Sequence, residues 1–341
     1  MLHIFRIPVH LWLIGLLASC QTPAKDKVVV YSPHGKEMLS YFEQAFEAAY
    51  PTVDVVWLDM GSQSIFDRIQ TERENPQADV WWGGPKELFV LADSLGLLEP
   101  YTPSWASALS PEYKSPRHTW HATHRTAEGI MYNTELLSPD AVPKEWDDLL
   151  DRRWQRQIII RDPVQSGTMQ TIFAAMIEKE RVRTGSVDSG FAWLEKLHAN
   201  TKSYAADPTQ LFLKLARGEA LLTLWNLNDA LLQSRLNRFP FGFILPESGT
   251  VFAIEGIAIV KGAKHLENAK RFYEFVTSPE SLHIQAERFY RIPARSDLKL
   301  NVDWLKGLSL KPLLSQTDYL ERHQRAWLKR WQEEIRPKSL E

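Results

Sequence analysis

The feature that most constrains this chain is a unit in which a short apolar strand breaks at a polar turn and becomes an amphipathic helix. Residues 27–46 show it first. Lys27-Val28-Val29-Val30-Tyr31 is apolar and β-branched, Ser32-Pro33-His34-Gly35 is a turn, and Met38, Leu39, Phe42, Ala45, Phe46 and Ala49 recur at helical spacing. A buried strand feeding a helix in this way opens a parallel α/β layer. The turn falls at the carboxyl end of the strand, where such sheets bind ligands. It also exposes the helix's first N–H groups, which suit an anion.

The unit recurs along the chain. Val53-Asp54-Val55-Val56-Trp57-Leu58-Asp59-Met60 reads as a second strand, breaking at Gly61-Ser62-Gln63-Ser64 into a helix through Ile65 and Ile69. Ala78-Asp79-Val80-Trp81-Trp82 is a third, breaking at Gly83-Gly84-Pro85 before Leu88, Phe89, Leu91 and Ala92. Successive units of this kind predict a parallel sheet with right-handed crossovers. A Pro-, Ser- and Trp-rich connection over 102–125 leads to a strand at 128–134. Gln157-Ile158-Ile159-Ile160-Arg161-Asp162-Pro163 then repeats the opening pattern, passing through Val164-Gln165-Ser166-Gly167-Thr168 into a long helix. Leu221-Leu222-Thr223-Leu224 ends at the polar patch Trp225-Asn226-Leu227-Asn228, a return strand follows at 241–246, and the apolar run 251–260 re-enters the first lobe. Helices complete the chain, the last of them Trp- and Arg-rich over 313–335.

At 341 residues the chain exceeds the size at which a single core usually splits. Two lobes are expected, one discontinuous from 21–128 and 247–341, the other from 129–246. Residues 1–20 stand apart. A weakly basic start precedes an apolar run that fits a signal-peptide core, and Leu17-Ala18-Ser19-Cys20 closes it. Cys20 is the chain's single cysteine, so it has no internal disulfide partner. The segment resembles a bacterial lipobox, which implies export, lipidation at Cys20 and a membrane anchor in the periplasm or at the cell surface.

The net charge of −2, without a Lys/Arg run, gives nucleic-acid binding no electrostatic support. P-loop, dinucleotide-binding, nucleophile-elbow and His-Glu-x-x-His signatures are all missing from the sequence, which favours binding over catalysis. His118, His121 and His124 are spaced by three. On an extended chain that spacing alternates faces, so they are expected in a solvated loop and not at a metal. Neither a metal nor a cofactor is expected.

Three polar turns share one layout: Ser32-Pro33-His34-Gly35, Gly61-Ser62-Gln63-Ser64 and Gln165-Ser166-Gly167-Thr168. Each follows an apolar strand and opens a helix, so each offers small residues, hydroxyls or amides, and free N–H groups. Two belong to the first lobe and one to the second. Facing each other across a cleft, they would hold a phosphate, phosphonate or carboxylate without a formal charge partner.

Four stretches in order carry a family resemblance: Val28-Val29-Val30-Tyr31-Ser32; Asn75-Pro76-Gln77-Ala78-Asp79-Val80-Trp81-Trp82-Gly83-Gly84; Gly96-Leu97-Leu98-Glu99-Pro100-Tyr101; and Arg161-Asp162-Pro163 followed by Ser166-Gly167-Thr168. They resemble the extracellular solute-binding proteins of ABC importers. The nearest group contains ferric-ion binders and binders of phosphorylated sugars and phosphonates. The resemblance implies an α/β, two-lobed type II periplasmic-binding-protein fold, hinged by crossing strands near 129–133 and 241–246. It implies a monomer with permease and ATPase partners that closes on its ligand. By match to the motifs it implies ligand contacts at Ser32, His34, Gly61, Ser62, Trp82, Gly83, Gln165, Ser166, Gly167 and Thr168, to which the turns add Gly35 and Gln63. The match fails where iron binders carry adjacent tyrosines, because this chain has Trp225-Asn226-Leu227-Asn228 there. Ferric ion wants hard anionic oxygen, which neutral amides do not supply. Trp225, Asn226, Asn228 and Glu255 are therefore expected to serve a small organic anion. A ferric-ion binder is the alternative, and a sensory or enzymatic protein reusing the fold is a second.

Overall fold

The computed structural model describes residues 26–313 and 318–338; the expected signal segment, Cys20 and the linker at 21–24 lie outside the described residues. The elements alternate as the sequence pattern requires. In the first part β1 (Asp26–Ser32), α1 (Lys36–Ala49), β2 (Val53–Asp59), α2 (Ser62–Thr71), β3 (Val80–Pro85), α3 (Lys86–Ser94) and β4 (Leu98–Glu99) precede the long β5 (His121–Asn133). In the middle come β6 (Ile158–Arg161), α4 (Gly167–Thr184), α5 (Val187–Asn200), β7 (Thr201–Ala205), α6 (Pro208–Ala216), β8 (Leu222–Asn226), α7 (Leu227–Asn237) and β9 (Phe241–Ile244). The chain ends with β10 (Val251–Val260), α8 (Leu266–Val276), α9 (Pro279–Phe289), β11 (Ile292–Pro293) and α10 (Asp318–Glu334).

The strands form one mixed sheet in the order β2-β1-β3-β10-β5-β8-β6-β7, with β4 on β10 and β9 and β11 on β5. The predicted parallel units are its two ends: β1 pairs in parallel with β2 and β3, and β6 with β7 and β8. Between them β10 and β5 run antiparallel to each other.

Two cores result. Strand periodicity builds the first, because alternate residues face opposite sides of the sheet. Val28, Val30 and Trp82 face α1 and α8, packing on Phe42, Phe46 and Phe272, whereas Tyr31 and Trp81 face α2 and α3, packing with Ile65, Phe66 and Phe89. The second core gathers Ile158, Ile159 and Ile160 of β6, the buried side of α4 and α5, Leu222 and Leu224, and Trp146 from a short 3-10 turn. Each fully buried side chain of this size contributes about 1.5–3 kcal/mol relative to exposure.

Two expectations need correction here. The strands that cross between the cores are β5 and β10. In β5, His121 to Arg125 pair with β10 beside the first core, while Ile130, Met131 and Tyr132 belong to the second. Val251 of β10 lies in the second core, and Ile257 and Ile259 lie in the first. β9, expected as a crossing strand, pairs only with the far half of β5. The C-terminal helix also departs from the expected lobe. Trp327, Trp331 and Ile335 recur every fourth residue, and that apolar stripe packs into the second core, where the Trp331 ring lies 5.3 Å from Phe173 and 5.7 Å from Tyr204. Among the described residues no helix is long and apolar enough to cross a membrane.

Candidate functional site

A cleft of about 630 Å³ opens between the two cores, at the carboxyl ends of the parallel strands. The turns that open α1, α2, α4, α6 and α7 all line it. The first N–H groups of a helix have no partner within it, so this arrangement points several free donors at one space.

At one end the openings of α2 and α4 meet. A Cβ added to Gly61 would sit 2.8 Å from the Gln165 carbonyl oxygen, and one added to Gly167 would sit 2.7 Å from Pro85 Cδ. Ser64 Oγ donates to Gln165 Oε1 at 3.0 Å, a hydrogen bond from one side of the cleft to the other. Ser62 and Ser166 are both buried beside this seam, and Ser166 Oγ also accepts from Met169 N at 3.3 Å to cap α4. The charge here comes from Arg161, the last residue of β6. It is only 5% exposed; Nη1 donates to the Ala205 carbonyl at 3.3 Å and Nε has no hydrogen-bond partner. Burial lowers its pKa from the usual guanidinium value, opposed by the charges of Asp162 and Asp207. A guanidinium stays protonated regardless, so Arg161 brings a fixed positive charge and an unsatisfied buried donor to the lining of the cleft.

The floor is a buried polar group on the crossing strands. His34 Nδ1 lies 3.6 Å from Glu255 Oε2, while Glu255 Oε1 accepts from Thr126 Oγ1 at 2.6 Å and from Arg291 Nη1 at 3.1 Å. His124 stands edge-on to His34, with ring centroids 5.9 Å apart. His34 Nε2 has no hydrogen-bond partner. Burial holds the His34 pKa well below the usual imidazole value, helped by the charges of Arg291 and His124, and burial brings His124 down to about 3. Both imidazoles are therefore neutral. Glu128, wholly buried with both oxygens unpartnered, is pushed well above the carboxylate range by burial, then by Glu255 and Asp229. It is held as a neutral acid.

The cleft gathers His34, Gly35, Gly61, Ser62, Gln165, Ser166, Gly167, Thr168, Trp225, Asn226 and Glu255. The other expected contacts are placed elsewhere. Ser32 is wholly buried, its Oγ accepting from His34 N at 3.2 Å, so it shapes the turn. Gln63 turns to solvent and donates to Asp67 Oδ1 at 2.8 Å. Trp82 belongs to the first core and meets His34 edge-on at 4.9 Å. Gly83 supports that ring, because at φ +100° a Cβ there would lie 2.7 Å from His34 Cε1. Asn228 is buried behind Asp229 and donates to its Oδ1 at 3.1 Å. The expected solvated histidines are also misplaced: His121 and His124 are buried in β5, where His121 Nδ1 lies 2.8 Å from Tyr273 Oη.

Sequence reasoning missed the charged lining. Arg161 stood within a quoted stretch but was not singled out as a contact, and its signal was a lone cation ending a run of three isoleucines. Lys36, Glu37, Asp59, Asp207, Asp229 and Arg291 join it. Among the described residues, His34, His124 and Glu255 form a group whose ligand atoms lie within 4.8 Å of one another. Arg291 already serves the Glu255 carboxylate, both histidines are neutral nitrogen donors, and no tyrosine lines the described cleft.

The sequence profile of the bacterial extracellular solute-binding proteins matches residues 76–312. An uncharacterised protein of Haemophilus influenzae is 33% identical over 277 residues, 78% of this chain and 77% of that one. A Sinorhizobium fredii protein, provisionally named an ABC transporter periplasmic-binding protein, is 27% identical, covering 82% of this chain and 77% of its own. A Salmonella typhimurium protein with the provisional name of a 2-aminoethylphosphonate-binding periplasmic protein is 27% identical, with 83% of each chain covered. Among solved structures, the periplasmic binding protein AfuA from Actinobacillus pleuropneumoniae, with exogenous fructose-6-phosphate bound, superposes with a TM-score of 0.79 at 28% identity, covering 92% of this chain and all of that one. Such proteins are transport-associated binding proteins, not enzymes. A two-lobed fold and a matched profile over most of the chain agree: this protein belongs to the bacterial extracellular solute-binding family, as the ligand-binding subunit of an ABC importer in the periplasm.

Proposed function

We propose that the cleft captures a small organic anion, a phosphorylated, phosphonate or carboxylate compound, and presents it to a permease by closing on it. The observation that carries this reading is Arg161, buried and charged with an unpartnered Nε, beside the openings of α2 and α4. Helix N-termini and a guanidinium together supply the donors and positive potential that an oxyanion requires. The names of two relatives, one for a phosphonate and one bound to a sugar phosphate, support the same class. The lobes, 26–128 with 247–313 and 129–246 with α10, would close by bending β5 and β10.

A thermal-shift screen with sugar phosphates, phosphonates, carboxylates, polyamines, thiamine and ferric salts tests it. A ligand at a hundred times its dissociation constant stabilises by about 2.7 kcal/mol. Anionic organic compounds are expected to shift the transition, and Arg161→Met is expected to weaken the best of them about thirtyfold or more. A response to ferric salts alone, with a visible charge-transfer band, would reverse the assignment. Anchoring through Cys20 is part of the same proposal, motivated by the apolar run before the chain's single cysteine. Mass spectrometry of the mature N-terminus, with Cys20→Ser released from the membrane, is the expected result; an unmodified Cys20 is the contrary one.

A further inference from the structure

Beyond the effect of its burial, two carboxylates act on Arg161, Asp162 more strongly than Asp207. The guanidinium nevertheless forms an ion pair with neither among the described residues. A buried cation in such company would ordinarily pair with a neighbour and have little left for a guest. Here both neighbours are engaged elsewhere. Asp207 caps α6, its Oδ1 accepting from Gln210 N at 2.7 Å. Asp162 is held from a distant part of the chain: Arg336 Nη2 donates to its Oδ2 at 2.6 Å, across 174 residues of sequence.

Asp162 stands at the root of the anion site. Its N–H and Arg161 Nη1 share one acceptor, the Ala205 carbonyl oxygen, at 3.0 and 3.3 Å. Its own carbonyl accepts from Gln165 N and Ser166 N, each at 3.1 Å, and its Oδ1 accepts from Val164 N at 2.9 Å. Asp162 thus builds the turn that opens α4. Arg161 reaches the seam with α2, where a Cβ added to Gly61 would lie 3.8 Å from its Nη2.

Packing of the chain's end delivers Arg336 to this place. Ile335 beside it is buried in the second core, and Arg336 N donates to the Trp331 carbonyl at 3.0 Å. Two residues on, the Lys338 carbonyl oxygen lies 3.1 Å from His198 Nε2, and Lys338 Nζ donates to Glu195 Oε1 at 2.5 Å. Neither Arg336 nor Asp162 lines the cleft.

Resting on the anion reading above, we propose that Arg336 is a positioning residue for ligand binding: by holding the Asp162 carboxylate it keeps that charge from pairing with Arg161, and so leaves the Arg161 guanidinium to the ligand's oxyanion. The last turn of the chain thereby sets the affinity of a site it does not touch. Without Arg336, Asp162 becomes a free acceptor beside a buried cation with an unpartnered Nε. The ligand must then displace an internal pair, and its apparent affinity falls to the fraction of molecules in which Arg161 is unpaired. A pair of ordinary strength would occupy Arg161 in about four molecules of five, a loss of about fivefold.

The test titrates fructose-6-phosphate and 2-aminoethylphosphonate calorimetrically into the whole protein and its variants. Arg336→Met is expected to weaken the tighter probe about fivefold. Arg336→Lys, which keeps the charge, is expected to retain most of the affinity. Asp162→Asn keeps an oxygen for Val164 N and removes the competing charge, so adding it to Arg336→Met is expected to restore binding. A residue that only braced the end of α10 would give a double variant no tighter than Arg336→Met alone. Unchanged affinity in Arg336→Met, or a double variant that stays weak, overturns this role and leaves the anion reading standing. Failure of both probes to bind, or binding that Arg161→Met leaves unchanged, overturns the anion reading and this role with it.

Discussion

Gly167→Ala separates the two demands made on this cleft, a stable helix and a close approach. Gly167 is the first residue of α4, in ordinary helical backbone, where an alanine is intrinsically favoured over glycine by up to about 1 kcal/mol. With the cleft parted, the new methyl group meets solvent, and the unliganded protein is expected to melt at the same temperature or slightly higher. In this structure that methyl would lie 2.7 Å from Pro85 Cδ, 3.0 Å from Cγ and 3.2 Å from Ser62 Oγ. Ordinary carbon–carbon contact is about 3.5–4.0 Å, so the overlap is close to 1 Å against a rigid ring. Overpacking of this size costs about 1–3 kcal/mol, equivalent to a loss of about 5- to 150-fold in the closed population. Calorimetry with the anion found in the screen should show that loss. Small-angle scattering should show the liganded variant remaining more extended than the unmodified protein. An unchanged affinity beside a raised melting temperature would refute the idea that these two helix openings touch in the ligand-bound form.

Other perturbations probe the same structure. Ser62→Asp with Ser166→Asp places two carboxylates beside the Arg161 space and is expected to abolish organic-anion binding in the thermal-shift assay; undiminished binding would move the anion elsewhere. His124 is held neutral with its pKa near 3, so the unfolded chain binds the extra proton as pH falls below 6.5. Stability contributed by that site is present above pH 6.5 and is lost toward pH 3, at about 1.4 kcal/mol per pH unit. Denaturant melts should show His124→Gln flattening this window, and an unaltered acid limb would show that the site is solvated. Trp331→Ala empties a site 1% exposed in the second core and is expected to cost about 3–5 kcal/mol in the same melts, whereas a cost near zero would detach α10 from that core.

The strand–turn–helix units were legible because each is local: a β-branched run, a Gly or Ser turn and a helical stripe lie within one stretch of chain. The seam between α2 and α4 followed from the same signal, since small residues at a helix start announce both free N–H groups and close approach. What escaped was fixed by tertiary neighbours. The polar stretch His121-Ala122-Thr123-His124 looked like loop, yet it is buried because β10 and β11 pair along it and Tyr273 takes up His121. Arg161 looked like the polar end of a strand until the surrounding turns enclosed it. Asn226 and Asn228 both donate their side-chain amides to Asp229 in the first turn of α7, a local pairing that sequence alone does not show. Trp327 and Trp331 gave a helical stripe but no clue to which core would receive it.

That last contact bears on the order in which the molecule can be made. The first core needs β10 and the rings of Phe272 and Tyr273, and the second needs Trp327, Trp331 and Ile335 from the final helix. A chain emerging N-terminus first thus carries every piece of its middle layer before the helix that seals it arrives. Contacts this distant in sequence form late, after the entropy of long loops has been overcome. Neither core is complete until most of the chain is available, the first needing residues up to Phe289 and the second residues up to Ile335.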